Sequence, residues 1–290
     1  MARESPVIAL CWGTLIGTPL EQLIAAAAHH QLGAITLTSP MYEAARRGGR
    51  SVDGLRRKLE EAGITVQAID PLIGALPGTP KPADVPAENR HYFEITEEDC
   101  YRAAQDLRAR SINLAHFGGS QVTEAQFVDC LGPLAARAQA HGVDLTLEFL
   151  PESSIPDLAT AQRIVRAVNA PNLGVMFDTW HFARTGGTAQ QLAAVPQGVI
   201  TGVQISDRVP PAPGTPYTPM FGRLLPGEGE LPLVEWLDIL LRRDPELTIG
   251  VEVFSEELTA LTAEKAAGRV AETTRGVLAQ VRRSLTAPSH

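Results

Sequence analysis

Four short apolar runs between residues 145 and 254 each end on a side chain able to hold a metal ion. They read LTLEF with Glu148, LGVMFDTWH with Asp178 and His181, ITGVQISD with Gln204 and Asp207, and IGVEVF with Glu252. A carboxylate buried in a β-branched apolar run is costly unless something compensates its charge. One such residue can be a local ion pair. Four successive runs ending the same way point to one shared site. Glu148, Asp178, Gln204 and Glu252 form an all-oxygen set, which suits one hard divalent ion such as Mn²⁺ or Mg²⁺, with Co²⁺ and Zn²⁺ also admissible.

The elements that must position these residues alternate, strand then helix, eight times. Strands are expected at 7–12, 34–38, 64–69, 111–117, 143–149, 173–177, 199–205 and 247–254. Helices are expected at 20–31, 52–62, 96–109, 123–140, from 154 into the 160s, near 188–194, at 231–242 and at 262–285. Their apolar residues recur at helical spacing, as in Leu20, Leu23, Ile24 and Ala27. Thr96 caps the third helix, with Glu97, Glu98 and Asp99 in a first turn where the helix dipole favours acids. Gly33, Gly63 and Gly142 are read as helix stops.

Eight such units without a composition break predict a single (β/α)₈ TIM barrel, one domain over 1–290. The long, proline-rich links at 71–95 and 209–230 follow strands. They therefore gather at the strand C-termini, the face where barrel active sites lie and where all four proposed ligands sit.

Length and composition agree. A chain of 290 residues, 44% hydrophobic and 20% charged, is an ordinary soluble barrel. The net charge of −8 argues against a broad nucleic-acid surface. Three scattered cysteines with no CxxC indicate neither a disulfide framework nor a thiolate zinc site. No run is long enough for a membrane span or a secretory signal, so a cytoplasmic location and no membrane partner are expected. A homodimer is only a prior expectation for such barrels.

The Glu148, Asp178, Gln204, Glu252 series, together with DTWH and the later PGEGELPL, resembles the xylose-isomerase-like barrels, the sugar isomerase/epimerase superfamily. Many members carry histidine where Gln204 stands; an amide oxygen is an acceptable hard-metal ligand. Glutamine there, within VQISD, is similar to bacterial 3-dehydroshikimate dehydratases. Their substrate-binding arginine after strand three has no obvious counterpart in IDPLIGALPG, so their substrate is not carried over.

The resemblance implies that Glu148 and Glu252 also exchange protons with substrate carbon. The ion polarises a carbonyl and one carboxylate removes the neighbouring proton, giving a metal-stabilised enolate. Proton return gives epimerisation or aldose–ketose isomerisation of a sugar or keto-polyol, a small polyhydroxylated carbonyl compound. Expulsion of a β-hydroxyl instead gives a dehydratase, a lyase acting on a cyclic keto-polyol such as 3-dehydroshikimate or an inosose. Abasic-site endonucleases share the barrel but resemble a histidine-rich site on a basic face, unlike this chain with its seven histidines. A non-catalytic binding barrel is disfavoured by the three carboxylates.

Further candidates surround the set. His181 is expected to be catalytic, as a hydrogen-bonding group on the substrate carbonyl. His116, Arg208, Arg223 and Trp12 are substrate-binding candidates: His116 at the end of strand four, Arg208 and Arg223 flanking the proline loop with guanidinium forks, Trp12 as an apolar wall. Each has a bland competitor, namely a strand-end hydrogen bond, a solvated arginine or barrel packing. Asp207 either orients a neighbouring group or binds Arg208. Arg46, Arg47 and Arg50, expected in the loop after strand two, either attract an anionic substrate or pair with Glu43 and Asp53. Gly227 and Gly229 do not have the spacing of a dinucleotide loop. His29, His30 and His141 are expected to be solvated.

Overall fold

A computed structural model describes residues 6–117, 119–220 and 222–286. Eight parallel strands close into a barrel in chain order: β1 (Ile8–Leu10), β2 (Ala34–Leu37), β3 (Thr65–Leu72), β4 (Ser111–Ala115), β5 (Asp144–Glu148), β6 (Leu173–Asp178), β7 (Ile200–Ile205) and β8 (Ile249–Val251). β8 pairs back onto β1 through Ile8 and Ile249, which removes every free edge.

Helices wrap the outside. Each turns an apolar stripe onto the strands, as Leu23 and Ile24, Phe127 and Leu131, and Trp236 and Leu237 do, all buried. Several start on a threonine. Thr96 accepts the N–H of Asp99 while Asp99 accepts the N–H of Thr96, a reciprocal cap at the helix Glu97–Leu107, and Thr123 with Gln126 does the same for Glu124–Ala140. The last helix, Ala263–Thr286, packs between Leu233–Arg243 and Leu20–His29 and closes the outer ring. Among the described residues no helix is long and apolar enough to cross a membrane.

Three local expectations change. Gly33 is not a helix stop: the helix ends at His29, and Gly33 is needed because a Cβ there would meet Val7 at 2.9 Å. Residues 39–47 are a helix rather than a loop, Ser39–Arg47, capped by the Thr38 side chain. β3 runs on to Leu72, which places Asp70 in the barrel wall.

The 207–231 connection is tied down at its base. Asp207 and Leu224 exchange backbone hydrogen bonds at 2.8 and 2.7 Å. The Asp207 carboxylate accepts the N–H groups of Arg208, Gly227 and Leu231 at 2.8, 3.0 and 2.9 Å. Gly229 passes so close to the Arg208 carbonyl that a Cβ would lie 2.2 Å from its oxygen. The glycines of PGEGE therefore serve this fold-back, which aims Arg223 into the barrel mouth.

Candidate active site

Six polar side chains meet where the strands end. Asp70 comes from β3, Asn113 from β4, Glu148 and Asp178 from the last positions of β5 and β6, and Gln204 from β7. Glu252 follows β8 directly, its N–H bonded to the Ile205 carbonyl at 3.1 Å. Asp178 and Gln204 are register partners on neighbouring strands. All six are buried, as is Arg223 arriving from the loop above.

Each side chain is held. Asn113 divides its Nδ2 between Asp70 Oδ1 at 2.9 Å and Glu148 Oε2 at 2.8 Å, and its Oδ1 accepts from Thr146 at 2.9 Å. Gln204 Nε2 donates to Asp70 Oδ2 at 3.0 Å and Glu252 Oε1 at 3.1 Å. Asp178 Oδ1 caps the short helix Thr179–Arg184 by accepting from Trp180 N at 2.6 Å and His181 N at 3.1 Å. Its Oδ2 lies 2.8 Å from Arg223 Nη1, which also donates to Glu252 Oε2 at 3.2 Å. His181 sits between Tyr217 Oη, 2.6 Å from Nδ1, and Glu148 Oε1, 3.2 Å from Nε2. Tyr217 donating to Nδ1 leaves Nε2–H to face Glu148, an assignment made from these two contacts, while Arg223 Nη2 lies 3.5 Å from the same Nε2.

The charges do not cancel. Asp70, Glu148, Asp178 and Glu252 are four buried carboxylates facing one guanidinium. Burial, with the neighbouring Glu148 charge, raises the Asp70 carboxyl to about 7 despite hydrogen bonds from Asn113 and Gln204. Burial also pushes Glu252 well above the usual carboxylate range, against the pull of Arg223. For Asp178 burial acts upward too, but Arg223 and His181 outweigh it and the carboxyl is lowered. A site with this excess of negative charge takes up protons or a cation.

The residues fit a divalent cation. Gln204 Oε1 is buried and has no hydrogen-bond partner among the described residues. Ligand-type atoms of Glu148, Asp178 and His181 lie within 4.8 Å of one another. An oxygen-rich donor set with a spare amide oxygen suits a hard or borderline ion.

The other expected residues divide. Trp12 lines the cavity above the site, with its ring 5.7 Å from Tyr92 and 5.8 Å from Phe254. His181 and Arg223 line it as well. His181 is on a short helix rather than a loop.

His116 is not a lining residue, which corrects its assignment to substrate. Strand alternation continues past β4, so Ala115 and Phe117 face the cavity while His116 faces the outer layer. There it stacks edge-on against Phe127 at 5.1 Å and accepts the Ser154 N–H at 3.3 Å. Arg208 is a second correction. It does not line the cavity: its N–H donates to Asp207, and its Nε pairs with Glu230 at 3.2 Å. Arg50 pairs with Glu21 at 2.7 Å rather than with Glu43 or Asp53, and none of Arg46, Arg47 and Arg50 lines the cavity.

Sequence reading passed over Asp70, Asn113 and Tyr217. Asp70 carries the same signal as the others, a carboxylate at the end of the apolar run TVQAID. It was hidden because Asp-Pro also reads as a turn. Asn113 interrupts INLA in the same way. Nothing local marks Tyr217, which reaches His181 only through the loop's tertiary path.

The cavity above these groups has an empty volume of ≈ 690 Å³ including its open mouth. Its floor is formed by Asp70, Glu148, His181, Arg223 and Glu252.

Comparison with known proteins sets this geometry in context. The family model described as xylose isomerase-like TIM barrel matches residues 24–277. An inosose isomerase of Bacillus subtilis is 30% identical over 155 residues, 53% of this chain and 55% of that protein. The chain thus spans about half the length of the curated inosose isomerases it matches. A protein of Streptomyces coelicolor provisionally assigned as a hydroxypyruvate isomerase is 26% identical over 249 residues, 81% of this chain and 85% of its own. A crystal structure of the IOLI protein with a bound zinc atom aligns with a TM-score of 0.81 at 22% identity, over 95% of this chain and 99% of that one. At that identity the likeness concerns the fold.

Proposed function

This chain belongs to the xylose isomerase-like TIM barrel family, and from that membership and the chemistry of its site we propose that it is a divalent-metal-dependent isomerase or epimerase of a hydroxy-carbonyl compound of the sugar or keto-polyol kind. One observation carries the reading: four buried carboxylates and an unpartnered amide oxygen converge at the barrel mouth around a single arginine. Isomerases among the relatives support the reaction class.

Glu148, Asp178, Gln204 through Oε1, and Glu252 would hold the ion. When bound, the ion supplies Lewis-acid polarisation of a carbonyl and so acidifies the adjacent C–H. The protein's own groups do the rest. Glu148 and Glu252 are the proton carriers, one removing the proton from carbon and the other returning it. Asn113 and His181 orient Glu148; Gln204 and Arg223 orient Glu252. His181, with its tautomer set by Tyr217, can present Nε2–H to a substrate oxygen in place of Glu148. Arg223 keeps positive charge beside the reacting oxygens, and the aromatic walls exclude water.

A lyase reading shares the first step and differs in the loss of a β-hydroxyl. Gln204 in VQISD, the feature similar to 3-dehydroshikimate dehydratases, favours it as the second reading.

Elemental analysis of the desalted protein tests the metal. Near-stoichiometric Mn, Mg, Co or Zn in wild type, lost in Glu252→Gln, is the expected result. Deuterium uptake from solvent into keto-sugars and keto-cyclitols tests the chemistry. Absence of metal even after Mn²⁺ addition overturns the mechanism.

A further inference from the structure

The floor and the walls of this cavity have opposite chemistry. The floor groups can all bind oxygen. Above them stand Trp12, Tyr92, Phe93, Phe117, Met220 and Phe254, with Ile73 and Leu150 between. Asn89 and the Tyr92 hydroxyl are the only polar side-chain groups among the described wall residues apart from the indole N–H of Trp12. That N–H is buried and lies toward the Asp70 carboxyl, which it helps to lower, with no closer hydrogen-bond partner among the described residues.

A free hexose carries a hydroxyl on nearly every carbon. Hydroxyls of its far end would be stripped of water against rings and aliphatic side chains. Each buried hydroxyl left without a partner weakens binding by roughly ten-fold. An apolar tail in the same place gains from leaving water, and aromatic walls add edge and face contacts. The walls are also well fixed. Trp12 packs on Tyr92 and Phe254, and Phe93 lies 6.5 Å from Phe117.

Resting on the proposed hydroxy-carbonyl chemistry, we infer that the substrate is amphipathic. Its hydroxylated carbonyl end occupies the floor, and its far end is an alkyl, deoxy or aryl group held by the aromatic walls. The polar part spans the reacting carbons and their immediate neighbours; the remainder is not a polyol.

The test compares two probes with the same reactive end, 1,3-dihydroxy-4-phenylbutan-2-one and a ketohexose, on the full-length Mg²⁺-loaded protein. Affinity is read by calorimetry and deuterium uptake from solvent by mass spectrometry. The phenyl compound is expected to bind at least about ten-fold more tightly than the ketohexose. Met220→Asn, which replaces one apolar wall residue by a polar one, is expected to shrink that ratio several-fold, and an unchanged ratio overturns the role of the walls. Equal binding, or tighter binding of the ketohexose, overturns the inference even if exchange occurs. A tail preference without exchange of either probe upholds the amphipathic pocket and removes the proposed enolising function. Binding of neither probe overturns both.

Discussion

Gln204 gives its Nε2 to Asp70 Oδ2 at 3.0 Å and so keeps its Oε1 clear of the carboxylates. A flipped amide would set that oxygen against Asp70 and Glu252, both acceptors when ionised. Asp70 thus fixes which way the Gln204 amide faces, and with it the oxygen proposed as a metal ligand. Asp70→Asn lets the amide turn and removes a nearby negative charge. Calorimetry should show Mn²⁺ affinity falling by about 10–100-fold, with the thermal melt of the metal-free protein still cooperative. Unchanged affinity would mean that Asp70 does not orient the ligand.

Arg223 pairs with both Asp178 and Glu252 from a fully enclosed position. Removing one side of a buried pair leaves the other charge uncompensated. Arg223→Met should therefore destabilise the metal-free protein by about 3–5 kcal/mol in a urea titration. Saturating Mn²⁺ should recover a large part of that loss, because an ion bound only by the folded state adds stability. A loss that ignores Mn²⁺ would separate Arg223 from the cation site.

Tyr217 touches His181 Nδ1 at 2.6 Å from the same loop that brings Arg223 Nη2 to 3.5 Å from Nε2. Tyr217→Phe should leave the metal content unchanged and lower solvent exchange into substrate by about ten-fold, since the ring loses the partner that sets its tautomer. Equal rates would make that contact merely structural.

Asp99 provides a pH test of the scaffold. Burial is the largest single influence and pushes its carboxyl up, but the hydrogen bonds from Thr96 and the Arg102 charge together outweigh it and its pKa is lowered from 3.8. A depressed carboxyl stabilises the fold above its unfolded value and loses that contribution as pH falls through the folded one. Asp99→Ala should cost about 1 kcal/mol at pH 7 and progressively less as the pH drops below 3.8. Urea titrations at pH 7 and near pH 3 check this; an equal cost at both would contradict the cap's charge dependence.

The eight strand–helix units, and the fact that Glu148, Asp178, Gln204 and Glu252 end neighbouring strands on one side of the barrel, were legible in the chain. Period-2 and period-3.6 patterns are local, and a carboxylate closing an apolar run is visible without any partner. The sequence by itself therefore determined the barrel and the main residues of its mouth. Only the tertiary structure decided how they are joined. Alternation past β4 turned His116 outward, and the Asp207 fold-back sent Arg223 inward and left Arg208 outside. Closure of the barrel brought Asp70 of β3 to Gln204 of β7 across 134 positions of chain. The apolar walls come from segments after six different strands, so no single stretch announces them. Contacts between distant segments depend on where closure of the barrel sets each strand end, and no local pattern encodes that.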